Sequence, residues 1–115
     1  KNDPITLHNG DNKVDFTYVE DTVQGIIKAA TSSVANVSFN ITAGNATSLK
    51  TLAEKIITMT GSESEIEDTG NHTLYPMRGT LDISRAKDLL GYQPEFTLDE
   101  GLASYYDWLK NYNGL

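Results

Sequence analysis

The sequence predicts an α/β fold of the α+β-like kind, with short strands and four amphipathic helices. Apolar residues recur at the three-to-four-residue spacing of a helix in four stretches. Short runs rich in β-branched and aromatic residues lie between or before them, and glycine, proline or hydroxyl residues separate the segments. The expected order is β-β-α-β-α-β-α-α, and 115 residues fit a single domain or part of a larger protein.

The first two strands are predicted to form a β-hairpin. Ile5–Leu7 is a short apolar segment, and Val14–Val19 is rich in β-branched and aromatic residues. The intervening "HNGDNK" consists mainly of residues that favour tight turns. An antiparallel pair joined by this turn follows from that arrangement.

From Glu20 the apolar period changes to that of a helix, predicted over Glu20–Ala30. Glu20 and Asp21 fall in its first turn, where acidic side chains complement the positive end of the helix dipole. The helix has one apolar face, made of Val19, Val23, Ile26, Ile27 and Ala30.

The middle of the chain is predicted to hold a strand, a second helix and a further short strand. "VSFNI" (37–41) is a compact strand pattern, and "SEIED" (64–68) is a candidate for another. The helix between them has Ser48 as its expected N-cap and Gly61 as its terminator. "TGNHTLYPMRG" has no period and is expected to be an irregular loop. The apolar residues of this second helix are Leu49, Leu52, Ala53, Ile56 and Ile57.

Two further helices are predicted in the last third. Asp82 or Ser84 is expected to cap a short helix that Gly91 ends in a left-handed conformation. Thr97-Leu98-Asp99-Glu100 has the form of a capping box and begins the final helix. That helix carries an apolar stripe of Leu98, Leu102, Tyr106 and Leu109.

Composition excludes several classes of function. A net charge of −7 argues against nucleic acid as a partner, so an anionic ligand would need a local group of basic residues. There is no cysteine, and His8 and His72 lack metal-ligand spacing, so no metal site is expected. No membrane span or signal peptide is visible, which favours a cytoplasmic protein. Four Asn-x-Ser/Thr triplets are therefore taken as incidental: Asn36, Asn40, Asn45 and Asn71.

Four stretches, in this order and at these separations, resemble one family. They are "VDFTYVEDTVQGI", "FNITAGNATSLKTLAEKI", "RGTLDISRAKDLLGYQP" and "TLDEGLASYYDWL". Together they are similar to the C-terminal, substrate-binding part of the NAD-dependent nucleotide-sugar epimerases and dehydratases, which are extended short-chain dehydrogenases.

The resemblance implies a larger parent enzyme that uses NAD(P) to oxidise a sugar carbon transiently. The resemblance implies that the N-terminal Rossmann domain of such enzymes, with its glycine-rich turn and its catalytic Tyr-x-x-x-Lys pair, lies outside these 115 residues. This chain alone is therefore expected to bind no cofactor, to contain no catalytic residue and to be inactive. Its implied role is to hold the nucleotide-diphosphate part of a sugar substrate, as in a UDP-glucose 4-epimerase.

The resemblance also suggests site residues, with one departure. The family's diphosphate-binding arginine before the strand aspartate is Val14 here, although Lys13 lies one residue away. Arg78 is the best remaining phosphate ligand, because a guanidinium binds phosphate through two parallel hydrogen bonds; a surface pair with Asp82 is the alternative. His72 is near the position of another diphosphate-binding arginine. Tyr75 is expected to stack on a base or to pack in the protein.

Three further roles for the chain stay open. It could be a non-catalytic binding module, an oligomerisation module, or part of a same-superfamily dehydrogenase with a non-nucleotide substrate. The last possibility follows from the loss of arginine at Val14. A homo-oligomer is expected because the fragment would expose apolar surface, including the face of the helix at Glu20–Ala30. Asp15 is expected to order its strand and the neighbouring loop.

Overall fold

A computed structural model of the chain describes residues 2–70 and 78–113. Within them, eight elements occur in the predicted order of strands and helices. They are β1 (Ile5–Leu7), β2 (Lys13–Val14), α1 (Val19–Thr31), β3 (Thr47–Ser48), α2 (Leu49–Thr60), β4 (Ile66–Asp68), α3 (Ser84–Leu90) and α4 (Leu98–Asn113). The chain is thus a small α/β protein with short strands and, over the described ranges, four helices.

The first of two compact units comprises Lys1–Val14 and Ala46–Gly79. β1 pairs with β4 in parallel, with Ile5 opposite Ile66, and β2 pairs antiparallel with β3, with Lys13 opposite Ser48. The predicted hairpin between β1 and a strand at Val14–Val19 is therefore wrong. The turn after β1 does not return the chain along it. Asn9 adopts a left-handed conformation with φ of 61° there, and the chain continues to a different partner strand.

Helix α2 confirms its predicted ends. The Ser48 hydroxyl accepts a hydrogen bond from the Thr51 N–H at 3.1 Å, which satisfies one of the free donors of the first turn. Gly61 follows the helix with φ of 65°, and its N–H donates to the Ile57 carbonyl. The predicted short strand at "SEIED" is also confirmed, as β4.

The second unit comprises Asp15–Asn45 and Thr80–Leu115, and its core lies around α3. Ile83, Ala86 and Tyr92 are buried there. Phe39, Ile41 and Leu90 pack against that core. Helix α1 confirms the prediction for Glu20–Ala30 to within one residue at each end.

The predicted strand at "VSFNI" is wrong, since residues 37–41 form no strand. This segment instead makes hydrogen bonds between side chains and backbone carbonyls. The Asn40 side-chain amide donates to the Asp82 carbonyl at 2.9 Å, and the Arg85 guanidinium donates to the Ser38 carbonyl at 3.3 Å. The third strand of the chain lies later, at β3. The apolar pattern of 37–41 arises because Phe39 and Ile41 pack on the core of this unit.

The helix ends of the second unit follow the predicted chemistry with one shift. Gly91 ends α3 with φ of 62°, as expected. The N-cap position of α3 is Ile83, which has no capping hydrogen bond, so the prediction of Asp82 or Ser84 at that position is wrong. Asp82 still accepts from the Ser84 N–H at 2.8 Å and therefore satisfies a donor at the helix start.

The capping box of α4 is present. The Thr97 N–H and hydroxyl donate to the Glu100 carboxylate at 2.8 and 2.7 Å, and the Glu100 N–H donates back to the Thr97 hydroxyl at 3.3 Å. The predicted stripe of Leu98, Leu102, Tyr106 and Leu109 is half-buried. A second, exposed line of aromatic residues runs along the helix, with near-parallel ring pairs formed by Tyr105, Trp108 and Tyr112.

Candidate functional site

The turn between β1 and β2 carries the first predicted ligand, Lys13. Its geometry is fixed by backbone bonds: the Asn12 N–H donates to the Asn9 carbonyl at 2.8 Å, and Gly10 N–H donates to the Asp68 carboxylate at 3.1 Å. A Cβ at Gly10 would overlap the Asp68 carboxylate, so a larger residue there would displace the acceptor of the Gly10 N–H. Lys13 itself is exposed.

Asn12 joins this turn to two other segments of the first unit. Its carbonyl accepts the Leu49 N–H of α2 at 3.0 Å, and its side-chain Oδ1 accepts the Arg78 N–H at 3.3 Å. The side chain is largely buried, at 9% exposure. Lys13 and Arg78, the two predicted ligands within the described residues, are therefore brought to the same turn although 65 positions separate them in the sequence (78 − 13).

His72 and Tyr75, the other two predicted ligands, lie outside the described residues. Asp82, the alternative partner for Arg78, has its carboxylate bound to both the N–H and the hydroxyl of Ser84. These hydrogen bonds, with a smaller effect of the Arg85 charge, hold the pKa of Asp82 below its ordinary 3.8. Asp82 thus has a structural role at the start of α3.

Asp15 orders a loop of the second unit, as predicted. Its carboxylate accepts hydrogen bonds from the Asn45 N–H at 3.2 Å, the Thr42 hydroxyl at 3.1 Å and the Leu81 N–H at 3.1 Å. The neighbouring Thr17 hydroxyl accepts the Ala43 N–H at 3.2 Å. A carboxylate with three donors is well suited to holding backbone segments together.

Asp21 has a role that its position in the first turn of α1 did not reveal. It is 1% exposed, and its two carboxylate oxygens accept the N–H groups of Glu95 at 2.8 Å and Phe96 at 3.2 Å. The N-cap residue of α1 is Tyr18, which makes no side-chain capping bond. The interpretation of Asp21 as a helix-initiating acid is therefore incomplete: it fixes the segment before α4.

The ionisable groups of the described part of the chain lie mainly in structural hydrogen bonds. No group of three or more His, Asp or Glu residues there is placed to hold a metal ion. The shifted pKa values belong to groups in structural hydrogen bonds. Tyr92 is one of them: burial, helped by the charges of Asp21 and Asp15, raises its pKa above 10.0, and its hydroxyl donates to the Thr42 carbonyl at 2.9 Å.

Sequence reasoning missed Asn12, which joins the two basic residues. The local sequence carries no signal for this role, because the burial of Asn12, which requires hydrogen-bond partners, is visible only in the structure. Its partner could not be identified, since nothing in the local pattern shows that Arg78 returns to this turn.

No helix in the described ranges is long and apolar enough to cross a membrane.

No protein-family model matches the chain. Among curated proteins, it is 29% identical over 103 residues to the UDP-glucose 4-epimerase of Mycolicibacterium smegmatis, covering 90% of this chain and 33% of that protein. It is also 30% identical over 109 residues to the UDP-glucuronate 4-epimerase of Thermodesulfobacterium geofontis, covering 93% of this chain and 33% of that protein. The chain thus spans about a third of the length of these relatives.

Solved structures of nucleotide-sugar epimerases also match the chain. The UDP-glucose 4-epimerase of Thermotoga maritima, solved with UDP-glucose, superposes with a TM-score of 0.87 at 25% identity, covering 96% of this chain and 36% of that one. Sequence and structure agree over nearly the whole chain. The relatives and structural neighbours that match nearly the whole chain are thus NAD-dependent nucleotide-sugar epimerases, as expected for part of an extended short-chain dehydrogenase.

Proposed function

We propose that the chain is the C-terminal, substrate-binding part of an NAD(P)-dependent nucleotide-sugar epimerase or dehydratase. Its relatives by name include UDP-glucose and UDP-glucuronate 4-epimerases, each about three times its length. Cytoplasmic location is part of the same proposal. The observation that carries the binding role is the meeting of Lys13 and Arg78 at the Asn12 turn, in a chain whose net charge is −7.

The chemical task of this surface is to hold the diphosphate of the substrate. Arg78 is exposed, and its guanidinium can donate two parallel hydrogen bonds to phosphate oxygens, while Lys13 supplies a compact charge. His72 and Tyr75 are proposed to contact the same substrate, at a phosphate and at the base respectively.

The sugar chemistry belongs to residues outside this chain. These 115 residues contain no glycine-rich dinucleotide turn, so they do not fit NAD(P), and no reaction step is assigned to them. In the proposed parent, the nicotinamide would carry the hydride. The chain alone is accordingly proposed to be inactive.

The test is kinetic and uses the protein made from its natural gene. We expect this protein to convert at least one UDP- or dTDP-sugar. The conversion is measured by separating the nucleotide sugars. Arg78→Ala should raise KM by roughly 10- to 150-fold, corresponding to about 1.5–3 kcal/mol for a lost charged hydrogen-bond pair. Lys87→Ala, which removes an exposed charge from α3, is the matched control. An unchanged KM in Arg78→Ala would remove Arg78 from the site.

Two observations favour other candidates. Val19, Val23, Ile26 and Ile27 of α1 are between 47% and 62% exposed, and they form the apolar face that an oligomerisation module would use. Tight self-association without nucleotide binding would support that function. Val14 in place of the family's arginine favours a dehydrogenase with a non-nucleotide substrate. Binding of NAD(P) by the natural protein, with no binding of UDP, would support the dehydrogenase function.

A further inference from the structure

The turn that carries Lys13 also carries a third basic residue. The N–H of Lys50, in the first turn of α2, donates to the Gly10 carbonyl at 2.9 Å. The preceding Leu49 N–H donates to the Asn12 carbonyl. Lys50 is therefore held at the same turn as Lys13. Ser48, the strand partner of Lys13, lies two residues before Lys50. The basic cluster is defined here as Lys13, Lys50 and Arg78.

All three members of the basic cluster are exposed, and no acid in the described ranges forms a salt bridge with any of them. Acids lie near the cluster as well. The Asp68 carboxylate accepts from the N–H groups of Gly10 and Gly70, Asp11 is exposed in the turn itself, and Glu54 is exposed one helical turn after Lys50 in α2. The feature that marks this turn is therefore the presence of three exposed cations from separate segments in a strongly acidic chain.

Within the described residues, the Asn12 side chain connects Arg78 to the turn that carries Lys13 and Lys50. Lys13 and Lys50 are held by the strand pair and the start of α2, both of which are regular structure. Arg78 belongs to neither, and its described contact with the turn is the hydrogen bond from its N–H to Asn12 Oδ1. Loss of that acceptor would release the Arg78 backbone while leaving the two lysines in place.

We infer that Asn12 is a positioning residue that holds Arg78 beside Lys13 and Lys50, and that Lys50 is the third cation of this anion-binding surface. The inference rests on the proposed function for its ligand class, which is a nucleoside diphosphate. Asn12 touches no substrate: it acts through the place it gives to Arg78.

The test is equilibrium binding of UDP and of inorganic pyrophosphate to the full natural protein, measured by titration calorimetry at low salt. Arg78→Ala is expected to weaken UDP binding roughly 10-fold or more, and Asn12→Ala and Lys50→Ala each about 3- to 10-fold. Lys50→Arg should retain affinity. Lys87→Ala again controls for the loss of one positive charge and should bind as the unaltered protein does.

A double-mutant cycle separates positioning from general stability. If Asn12 acts through Arg78, Asn12→Ala adds no further loss in an Arg78→Ala background, whereas Lys50→Ala does. If Asn12→Ala does not fold, Asn12→Asp keeps the acceptor oxygen, and Arg78→Ala should still weaken binding in that background.

Several results overturn the inference. Additive losses from Asn12→Ala and Arg78→Ala would refute positioning, as would an Asn12→Asp protein indifferent to Arg78→Ala. Lys50→Ala with unaltered affinity would remove Lys50. In these cases UDP still binds and the proposed function stands. Failure of the unaltered protein to bind either probe would overturn both.

Discussion

Replacement of Asp21 by alanine is expected to destabilise the protein far more than replacement of its neighbour Glu20. Both acids lie in the first turn of α1, but Asp21 is 1% exposed and Glu20 is exposed. Asp21 accepts two backbone hydrogen bonds, at 2.8 and 3.2 Å, and each bond to a charged acceptor contributes roughly 1.5–3 kcal/mol. Because the two bonds share one side chain and water can partly replace it, we expect Asp21→Ala to lower the free energy of unfolding by about 3–4 kcal/mol.

Glu20→Ala is the matched control. It removes only an exposed interaction with the helix dipole, for which the expected loss is about 0.3–1 kcal/mol. Asp21→Asn keeps the shape of the side chain and one acceptor oxygen. Its loss of unfolding free energy should therefore lie between those of Asp21→Ala and Glu20→Ala. The assay is urea unfolding of this chain at neutral pH, followed by far-UV circular dichroism and by the fluorescence of Trp108, the single tryptophan of the 115 residues. Equal free energies of unfolding for Asp21→Ala and Glu20→Ala would refute the reasoning.

Three further predictions concern packing and pH. Gly25→Ala should lower the free energy of unfolding by about 1–3 kcal/mol despite alanine's higher helix propensity, because its Cβ would overlap the Ile41 side chain; an equal or higher Tm would contradict this. Hydrogen bonds from Thr97 lower the pKa of Glu100 below 4.5, so its contribution to stability is present above pH 4.5 and is lost as the pH falls further. Glu100→Gln should therefore show a shallower fall in Tm on acidification, and an unchanged slope would count against the capping box. Burial raises the pKa of Tyr92 above 10.0, so its contribution is lost as the pH rises beyond that value; Tyr92→Phe should cost about 1 kcal/mol at neutral pH and reduce the alkaline loss of stability, which pH-dependent unfolding would check.

Features of the fold set by local chemistry were predictable from the sequence. Ser48 and Gly61 mark the ends of α2, Gly91 ends α3, and Thr97 with Glu100 starts α4. Each of these signals acts over a few residues, so the chain around it needs no partner from elsewhere. The helices were accordingly placed with little error.

Strand pairing could not be predicted in the same way. Two turn-separated β-like segments favour a hairpin, but β1 pairs with β4, about 60 residues away in the sequence, because long-range packing determines the partner. The same limit applies to 37–41, where an apolar pattern gives core packing without a strand. It applies to Asp21 too, whose partners at Glu95 and Phe96 lie 74 and 75 positions further on.

The candidate site was predicted in part for the same reason. Residue chemistry pointed to Lys13 and Arg78 as phosphate ligands, and the structure brings both to one turn. Their connection through Asn12, and the presence of Lys50 at the same turn, depend on the β2–β3 pair and the start of α2. Neither contact has a signature in the local sequence.

The most direct test of the central claim is the mass and dinucleotide content of the protein made from its natural gene. Intact mass spectrometry gives the length, and absorbance after denaturation, with chromatography of the released nucleotide, gives the bound NAD(P). We expect a protein about three times the 12.6 kDa of this chain, in keeping with its relatives, that carries NAD(P). A product close to 12.6 kDa with no dinucleotide would contradict the assignment of this chain to a catalytic parent.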